Sequence, residues 1–387
     1  MKDVFVTDSI RYIGADDKNI DLFESQYKVP NGVSYNSYVI LDEKVAVMDT
    51  VDRRATDAWL ENLEKALNGR TPDYLVVHHM EPDHAANIQV LAEKYPDMQI
   101  VGNAKTFTMI RRFFTFDLEG RTVEVKEGST LSLGSHTLTF VMAPMVHWPE
   151  AMVSYESSEK ILFSADGFGK FGALDAEEPW ADEARRYYIN IVGKYGAQVQ
   201  ALLKKAAGLD IAMICPLHGP ILKEDLGYYL NLYDIWSSYR PEEEGVFLAY
   251  ASIHGNTAKG ALALKEMLER RGVKVCAADV CRTDVAQCVA NAFRYSKMIC
   301  CAASYDGGLF LPMEDFLHHL KAKTYQNRKV ALVENGTWAP SAARVMKEIL
   351  GSMKNVEICD KTVTICSAVK EDTLRQLEEL ADAVAAM

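Results

Sequence analysis

Four side chains able to bind a transition metal fall within the short run His79-Met80-Glu81-Pro82-Asp83-His84. In an extended segment alternate side chains point the same way. His79, Glu81 and Asp83 can therefore face one centre, and His84 can reach a second as the chain turns. Pro82 stiffens the segment. Three more candidates follow at a distance: His147 in Ala-Pro-Met-Val-His-Trp-Pro, Asp166 in Ile-Leu-Phe-Ser-Ala-Asp-Gly, and His218 in Met-Ile-Cys-Pro-Leu-His-Gly. Together they are too many for one tetrahedral ion. They suit two ions that share Asp166 as a bridge. Four imidazoles and three carboxylates without a thiolate favour non-haem iron, with zinc and manganese compatible. Three carboxylates against two divalent ions leave one positive charge. That anionic ligand set eases the ferric state, so redox chemistry fits better than hydrolysis. His78 points away from His79 and reads as a supporting residue. His136, after Gly134-Ser135, reads as a solvated turn residue, and His318 and His319 as helix-surface residues.

The elements that must position these groups are legible from pattern. His79, His147, Asp166 and His218 each follow an apolar strand, at 74–77, 137–142, 160–164 and 210–215. The carboxyl ends of strands are where α/β folds collect ligands at one edge. Further strands read at 99–102, 122–126 and 151–155, with two around a turn at Asp42-Glu43 in residues 34–50. Helices read at 55–68, 85–95, 181–207 and 225–239. This is a mixed α/β arrangement of two sheets with outer helices.

The run Arg240-Pro241-Glu242-Glu243-Glu244-Gly245 reads as a linker, which divides the chain into residues 1–244 and 245–387. The second part alternates strands (246–252, 273–280, 297–304, 329–334, 355–360) with helices (257–271, 284–295, 313–323, 341–351, 370–386). Nearly all-apolar strands alternating with helices imply a five-stranded, doubly wound parallel sheet covered on both faces. After its first strand comes Ser252-Ile253-His254-Gly255-Asn256-Thr257. Hydroxyls, backbone N–H groups and a helix N-terminus there can surround a phosphate. No G-x-G-x-x-G follows a strand, so a Rossmann nicotinamide motif is unsupported.

Composition narrows the class. The 387 residues are 49% hydrophobic and 25% charged, enough apolar content for large cores, and the net charge is −12. No basic patch is long enough for nucleic acid, no apolar run is long enough for a membrane, and the start lacks a signal peptide. A cytoplasmic protein is expected. All eight cysteines lie between 215 and 366 without a C-x-x-C pair, and read as buried reduced thiols.

The spacing H-x-E-x-D-H, with His147, Asp166 and His218 beyond it, resembles the flavodiiron proteins. So do Asn31-Gly32-Val33-Ser34-Tyr35-Asn36-Ser37-Tyr38 and His147-Trp148-Pro149-Glu150. The resemblance covers essentially the whole chain. It implies a metallo-β-lactamase-like αββα sandwich followed by a flavodoxin-like domain. Glu81 stands where the superfamily's hydrolases carry a second His, which is the family's own departure. One iron would then be held by His79, Glu81, His147 and Asp166, and the other by Asp83, His84, Asp166 and His218. The loop after the first strand resembles a flavodoxin phosphate loop, so Ser252, His254, Gly255, Asn256 and Thr257 would hold the FMN phosphate. Ser304, Tyr305, Asp306, Gly307, Gly308 and Leu309, with Asn335, Gly336, Thr337 and Trp338, would flank the flavin ring. The implied activity is reduction of dioxygen to water, of nitric oxide to nitrous oxide, or of both. The electron donor would be a separate molecule such as rubredoxin or a reduced deazaflavin coenzyme. The implied assembly is a head-to-tail homodimer or a dimer of dimers, with FMN of one chain near the iron of the other. Two rival classes are a dizinc hydrolase with an accessory flavodoxin-like domain and a flavodoxin-type electron carrier.

Overall fold

The structure is a computed structural model, and it describes residues 4–387. The chain divides into two compact units. One runs to Tyr188 and resumes over Ala197–Tyr233; the other comprises Ile189–Gly196 and Asp234–Met387.

The first unit holds two large sheets. One orders the strands Val4–Phe5, Ile10–Tyr12, Tyr38–Leu41, Val45–Met48, Tyr74–Val76, Gln99–Gly102 and Thr122–Glu124. Its first four are antiparallel neighbours and its last four are parallel. The other sheet orders Thr130–Ser132, Thr137–Met142, Met152–Glu156, Ile161–Phe163 and Met213–Cys215, with only the last pair parallel. Side chains alternate between faces along a strand. One face of each sheet, including Ala46, Met48, Val76, Val101, Leu138, Phe140, Met152, Ile161, Phe163 and Cys215, meets in a single buried core. At about 25 cal/mol per Å² of apolar surface, this shared layer is what fixes the strand ends in register. The opposite faces are covered by helices such as Thr56–Leu67, which buries Trp59, Leu63 and Leu67.

The second unit has the strand order second-first-third-fourth-fifth, all parallel: Val275–Asp279, Glu243–Ala251, Tyr295–Tyr305, Arg328–Asn335 and Val356–Ile365. The doubly wound expectation is met, and the order reverses beside the first strand. Gly308–Leu309 adds a short antiparallel hairpin to the third strand. Arg328, 2% exposed, donates to the carbonyls of Tyr295 and Phe293 and so ties the bottom of this sheet together.

Several boundaries differ from the sequence reading. Five short strands before residue 29 carry too few residues to show a period. The helix Ala104–Phe113 is present where none was read. The helix expected over 181–207 breaks into Trp180–Tyr187, a π-turn Tyr188–Val192, a 3₁₀ turn Gly193–Tyr195 and Gly196–Ala206. Glu243 and Glu244 belong to a strand, where Glu243 pairs with Lys274 and Arg294. The cysteines are free, yet only Cys215, Cys288, Cys300 and Cys301 are buried, and Cys281 and Cys366 are exposed. His136 is 6% exposed rather than solvated, because Asp42 and Ser9 enclose its ring.

Candidate functional site

The strands Tyr74–Val76, Ile161–Phe163 and Met213–Cys215 end just before His79, Asp166 and His218, and His147 follows Thr137–Met142. Glu81 sits at the start of a short helix, Pro82–Ala85, whose first turn carries Asp83 and His84. The sandwich core thus delivers all seven predicted ligands to one edge.

They form two groups. In the first, His79 Nε2 lies 3.3 Å from Glu81 Oε2 and 3.2 Å from Asp166 Oδ2. His147 Nε2 lies 3.1 Å from Glu81 Oε2 and 3.3 Å from Asp166 Oδ2. Donors about 2.0–2.2 Å from one ion must stand roughly 2.9–3.5 Å apart in octahedral or tetrahedral geometry, and these do. In the second group, Asp83 Oδ2 lies 3.3 Å from His84 Nε2 and 3.2 Å from His218 Nε2, and the two ring nitrogens are 3.0 Å apart. Asp166 turns its other oxygen, Oδ1, to this side, 3.4 Å from His84 Nε2 and 3.9 Å from His218 Nε2.

The hydrogen bonding tests whether cations belong here. Both carboxylate oxygens of Asp83 and of Asp166 are buried without a hydrogen-bond partner. Burying a bare carboxylate is costly, and two of them facing four imidazole nitrogens make sense only around positive charge. Tautomers agree. His218 Nδ1 lies 2.7 Å from the Ser34 carbonyl oxygen, which can only accept, so the neutral ring turns a lone pair on Nε2 inward. His79 Nδ1 is likewise 3.0 Å from Glu150 Oε1, which also accepts the Met80 N–H at 2.8 Å. Metal-binding histidines are held in this way by a second layer of acceptors.

Charge coupling reports the same crowding. Burial works against protonation of His79, but Asp166 and Glu150 raise its pKa well above the usual value. His147 is raised to about 9 against burial by Asp166 and Glu81. Asp83 is pushed up to about 7 by burial. His218 is lowered by burial. A metal bound at Nε2 of His79 or His147 must displace any proton there.

Sequence reading missed the supporting layer. His78 faces away, as expected, with Nδ1 2.5 Å from Asp49 Oδ2 and Nε2 2.8 Å from Ser154 Oγ. Phe23 and Tyr187 pack on His218, their ring centroids each 5.4 Å from it. Asp49 and Phe23 carry no local signature; Ser34 and Glu150 lie in the quoted Asn31–Tyr38 and His147–Glu150 runs but had no role assigned.

In the second unit a cavity of about 540 Å³ opens over the strand ends. Ser252, His254, Asn256, Thr257, Ser304, Tyr305, Asp306, Gly307, Asn335, Gly336, Thr337 and Trp338 line it; Gly255, also expected at a flavin, is not among the lining residues. Gly255, at φ +89°, ends the phosphate-like loop and precedes the helix Asn256–Arg270, which has no side-chain cap. Its free N–H groups suit an anion. Ser252 Oγ accepts the Gly255 and Ala258 N–H groups, which leaves its own proton to donate. Tyr305 and Trp338 are 45% and 81% exposed, so their faces are available to a flat ring. Gly308 and Leu309 do not line the cavity: they form the returning hairpin strand, and Leu309 is buried. Ser341 and Ser367 line it unforeseen. The fifth strand runs on to Ile365, so its end was sought too early in the sequence.

An αββα sandwich with a carboxylate-rich double ligand set, together with a second-first-third-fourth-fifth parallel sheet bearing a phosphate-type loop, defines a metallo-β-lactamase-like domain followed by a flavodoxin-like one. The family model described as "ODP family beta lactamase" matches residues 33–219. A nitric oxide reductase of Moorella thermoacetica is 27% identical over 393 residues, covering 99% of this chain and 98% of that protein. The rubredoxin oxygen:oxidoreductase structure from Desulfovibrio gigas superposes with a TM-score of 0.92 at 26% identity, over 100% of this chain and 98% of that one. The flavodiiron protein from Giardia intestinalis shares the fold, with a TM-score of 0.92 at 24% identity, over 100% of this chain and 97% of that one. Over its whole length this chain is therefore similar to flavodiiron-type proteins, in sequence and in fold.

Proposed function

We propose that the protein is an oxidoreductase whose cofactors are FMN and a non-haem di-iron centre, and that it reduces dioxygen, nitric oxide or both. Residues 1–244 carry the metal chemistry and residues 245–387 hold the flavin. One iron is assigned to His79, Glu81, His147 and Asp166, the other to Asp83, His84, Asp166 and His218. When bound, the flavin supplies electrons one at a time from an external donor, and the irons supply the site where a diatomic gas is reduced.

The chain's own residues prepare that site. Asp166 directs one oxygen to each ligand group. Glu150 and the Ser34 carbonyl hold the His79 and His218 rings with Nε2 inward. Phe23 and Tyr187 wall the His218 side and exclude water. The Ser252–Thr257 loop offers donors to a phosphate. The observation that carries the reading is the pair of buried, unpartnered carboxylates, Asp83 and Asp166, between two sets of imidazole nitrogens.

The names of the relatives support both gases: one is a nitric oxide reductase and another a rubredoxin oxygen:oxidoreductase. The second name also supports a rubredoxin-type donor. No described helix is long and apolar enough to cross a membrane. The test is anaerobic purification with iron and flavin analysis, then stopped-flow mixing of the reduced protein with each gas. Reoxidation by either gas at a rate faster than flavin alone supports the reading, and the faster gas names the substrate. Two zinc ions with no gas consumption would overturn it in favour of a hydrolase.

A further inference from the structure

A cavity of about 260 Å³ opens onto the ligand-bearing turn, walled in part by Glu24, Tyr35, Asp52, Arg54, Glu81 and Asp83. Two of the candidate ligands, Glu81 and Asp83, line it, which makes it a mouth of the metal site. Asp83 is only 8% exposed, and neither of its carboxylate oxygens has a hydrogen-bond partner. The one cation on this wall is already engaged. Arg54 Nε lies 3.1 Å from Asp17 Oδ2 and 3.4 Å from Asp52 Oδ1, and its Nη2 donates to the Tyr35 hydroxyl at 3.1 Å. Glu24 pairs with no cation among the described residues; its Oε2 accepts only the Gln26 side-chain amide, at 3.0 Å.

The position of Glu24 is held firmly. It sits in the turn between Leu22–Phe23 and Tyr27–Lys28. Both Glu24 (φ +48°) and Ser25 (φ +57°) are left-handed, a conformation that favours glycine. Such strain persists only where the surroundings enforce it. Here Phe23 is edge-on to His218, and both Phe23 and Tyr27 pack on Phe171.

We infer that Glu24 makes this mouth a charge filter, turning back small anions while uncharged diatomic gases pass. The inference rests on the di-iron reading. Two cations facing Glu81, Asp83 and Asp166 leave the metal pocket positive, and Arg54 is offset by Asp17 and Asp52, so Glu24 is the anionic group left at the entrance. An anion approaching the metals must pass it at short range, where water screens least. A neutral gas meets no such barrier.

The experiment uses the iron-loaded, FMN-containing protein, oxidised, at about pH 8, above the value of about 7 to which burial and the nearby Glu81 raise the Glu24 carboxyl. Azide is mixed in by stopped flow and its association is followed by the absorption band on ferric iron, for wild type, E24Q and E24K. Nitric oxide binding to the reduced proteins supplies the neutral comparison. The azide association rate relative to that of nitric oxide should rise about threefold in E24Q and about tenfold in E24K. A non-coordinating salt should speed azide association with wild type relative to E24Q, because only the first has this repulsion to screen. The same relative association rate and salt response in all three iron-loaded proteins would overturn the filter alone. Wild type purified with zinc, or with no metal, would overturn the di-iron reading and the filter together.

Discussion

Glu150 offers the sharpest test of how the site is held. Its Oε1 takes the His79 Nδ1 proton at 3.0 Å and the Met80 N–H at 2.8 Å, and the residue is 1% exposed. Removing the carboxylate in Glu150→Ala strands two buried donors. At about 1–3 kcal/mol for each donor left dry, stability should fall by roughly 2–6 kcal/mol. Glu150→Gln is the gentler change, since an amide oxygen can still accept from both groups. It removes the negative charge that makes the His79 ring a stronger ligand, and it puts an amide nitrogen where Glu150 Oε2 has no partner. Supporting residues of this kind are worth about ten- to a hundredfold in metal affinity, which is roughly 1.4–2.7 kcal/mol. The loss should fall on the ion held by His79, Glu81, His147 and Asp166, and far less on the other. The assay is iron retained after dialysis against graded chelator, with bound FMN as an internal measure of folding. Wild type should lose its iron in one range of chelator, whereas Glu150→Gln should lose about half its iron early and the rest where wild type does. Superimposable curves for the two proteins would refute the reasoning.

Three further outcomes are expected. Asp166→Ala should deplete both irons while FMN stays bound, and retention of both irons on elemental analysis would refute the bridging assignment. Ser304 Oγ accepts the N–H groups of Ser341 at 2.8 Å and Ala342 at 3.1 Å, so Ser304→Ala should weaken FMN binding about five- to a hundredfold, from about 1–3 kcal/mol of lost hydrogen bonding; fluorescence titration should show this with iron content unchanged. Ser9 donates to Glu159 Oε1 at 2.7 Å, so the His136 ring must itself donate through Nε2 to Ser9 and through Nδ1 to Asp42, and it is charged. Burial opposes that charge, but Asp42 and Glu156 raise the His136 pKa above 6.5. Its stabilisation is then complete below about pH 6.5 and lost as pH rises through the raised value, so the melting-temperature gap between wild type and His136→Gln should narrow from pH 6 to pH 9; a constant gap would contradict it.

The candidate ligand groups were legible in the sequence because each is tied to an element that is itself legible. His79, Asp166 and His218 follow short strands of fully apolar residues, and a doubly buried strand has a strong compositional signal. Once the strands are recognised, their carboxyl ends point to one edge, and the residue types there do the rest. The flavin pocket was legible for the same reason: loops after the first, third and fourth strands supply most of its lining. Leu309 failed because the Asp306-Gly307 pair, with φ +48° and +71°, folds the loop back into a hairpin. A two-residue turn with both residues left-handed reverses the chain, and so turns the next side chain into the core rather than into the pocket.

The layer behind the ligands was not legible, and the reason is geometric. Ser34 supplies a backbone carbonyl to His218, a group every residue carries, and its hydroxyl accepts the neighbouring Gly219 N–H at 2.7 Å, a contact between segments far apart in sequence. Asp49 reaches His78 from the end of another strand, with its own backbone at φ +55°. Phe23 lies in a two-residue strand too short for any period to appear. Each of these contacts joins segments far apart in sequence, and none depends on spacing. Ligands must be particular residue types because the metal demands them. The groups that orient ligands need only present one acceptor, or one flat face, in the right place. A site of this kind therefore shows in its sequence the residue types suited to a metal, while the packing that sets their atoms at 3.0–3.9 Å from one another becomes visible only when the chain is folded.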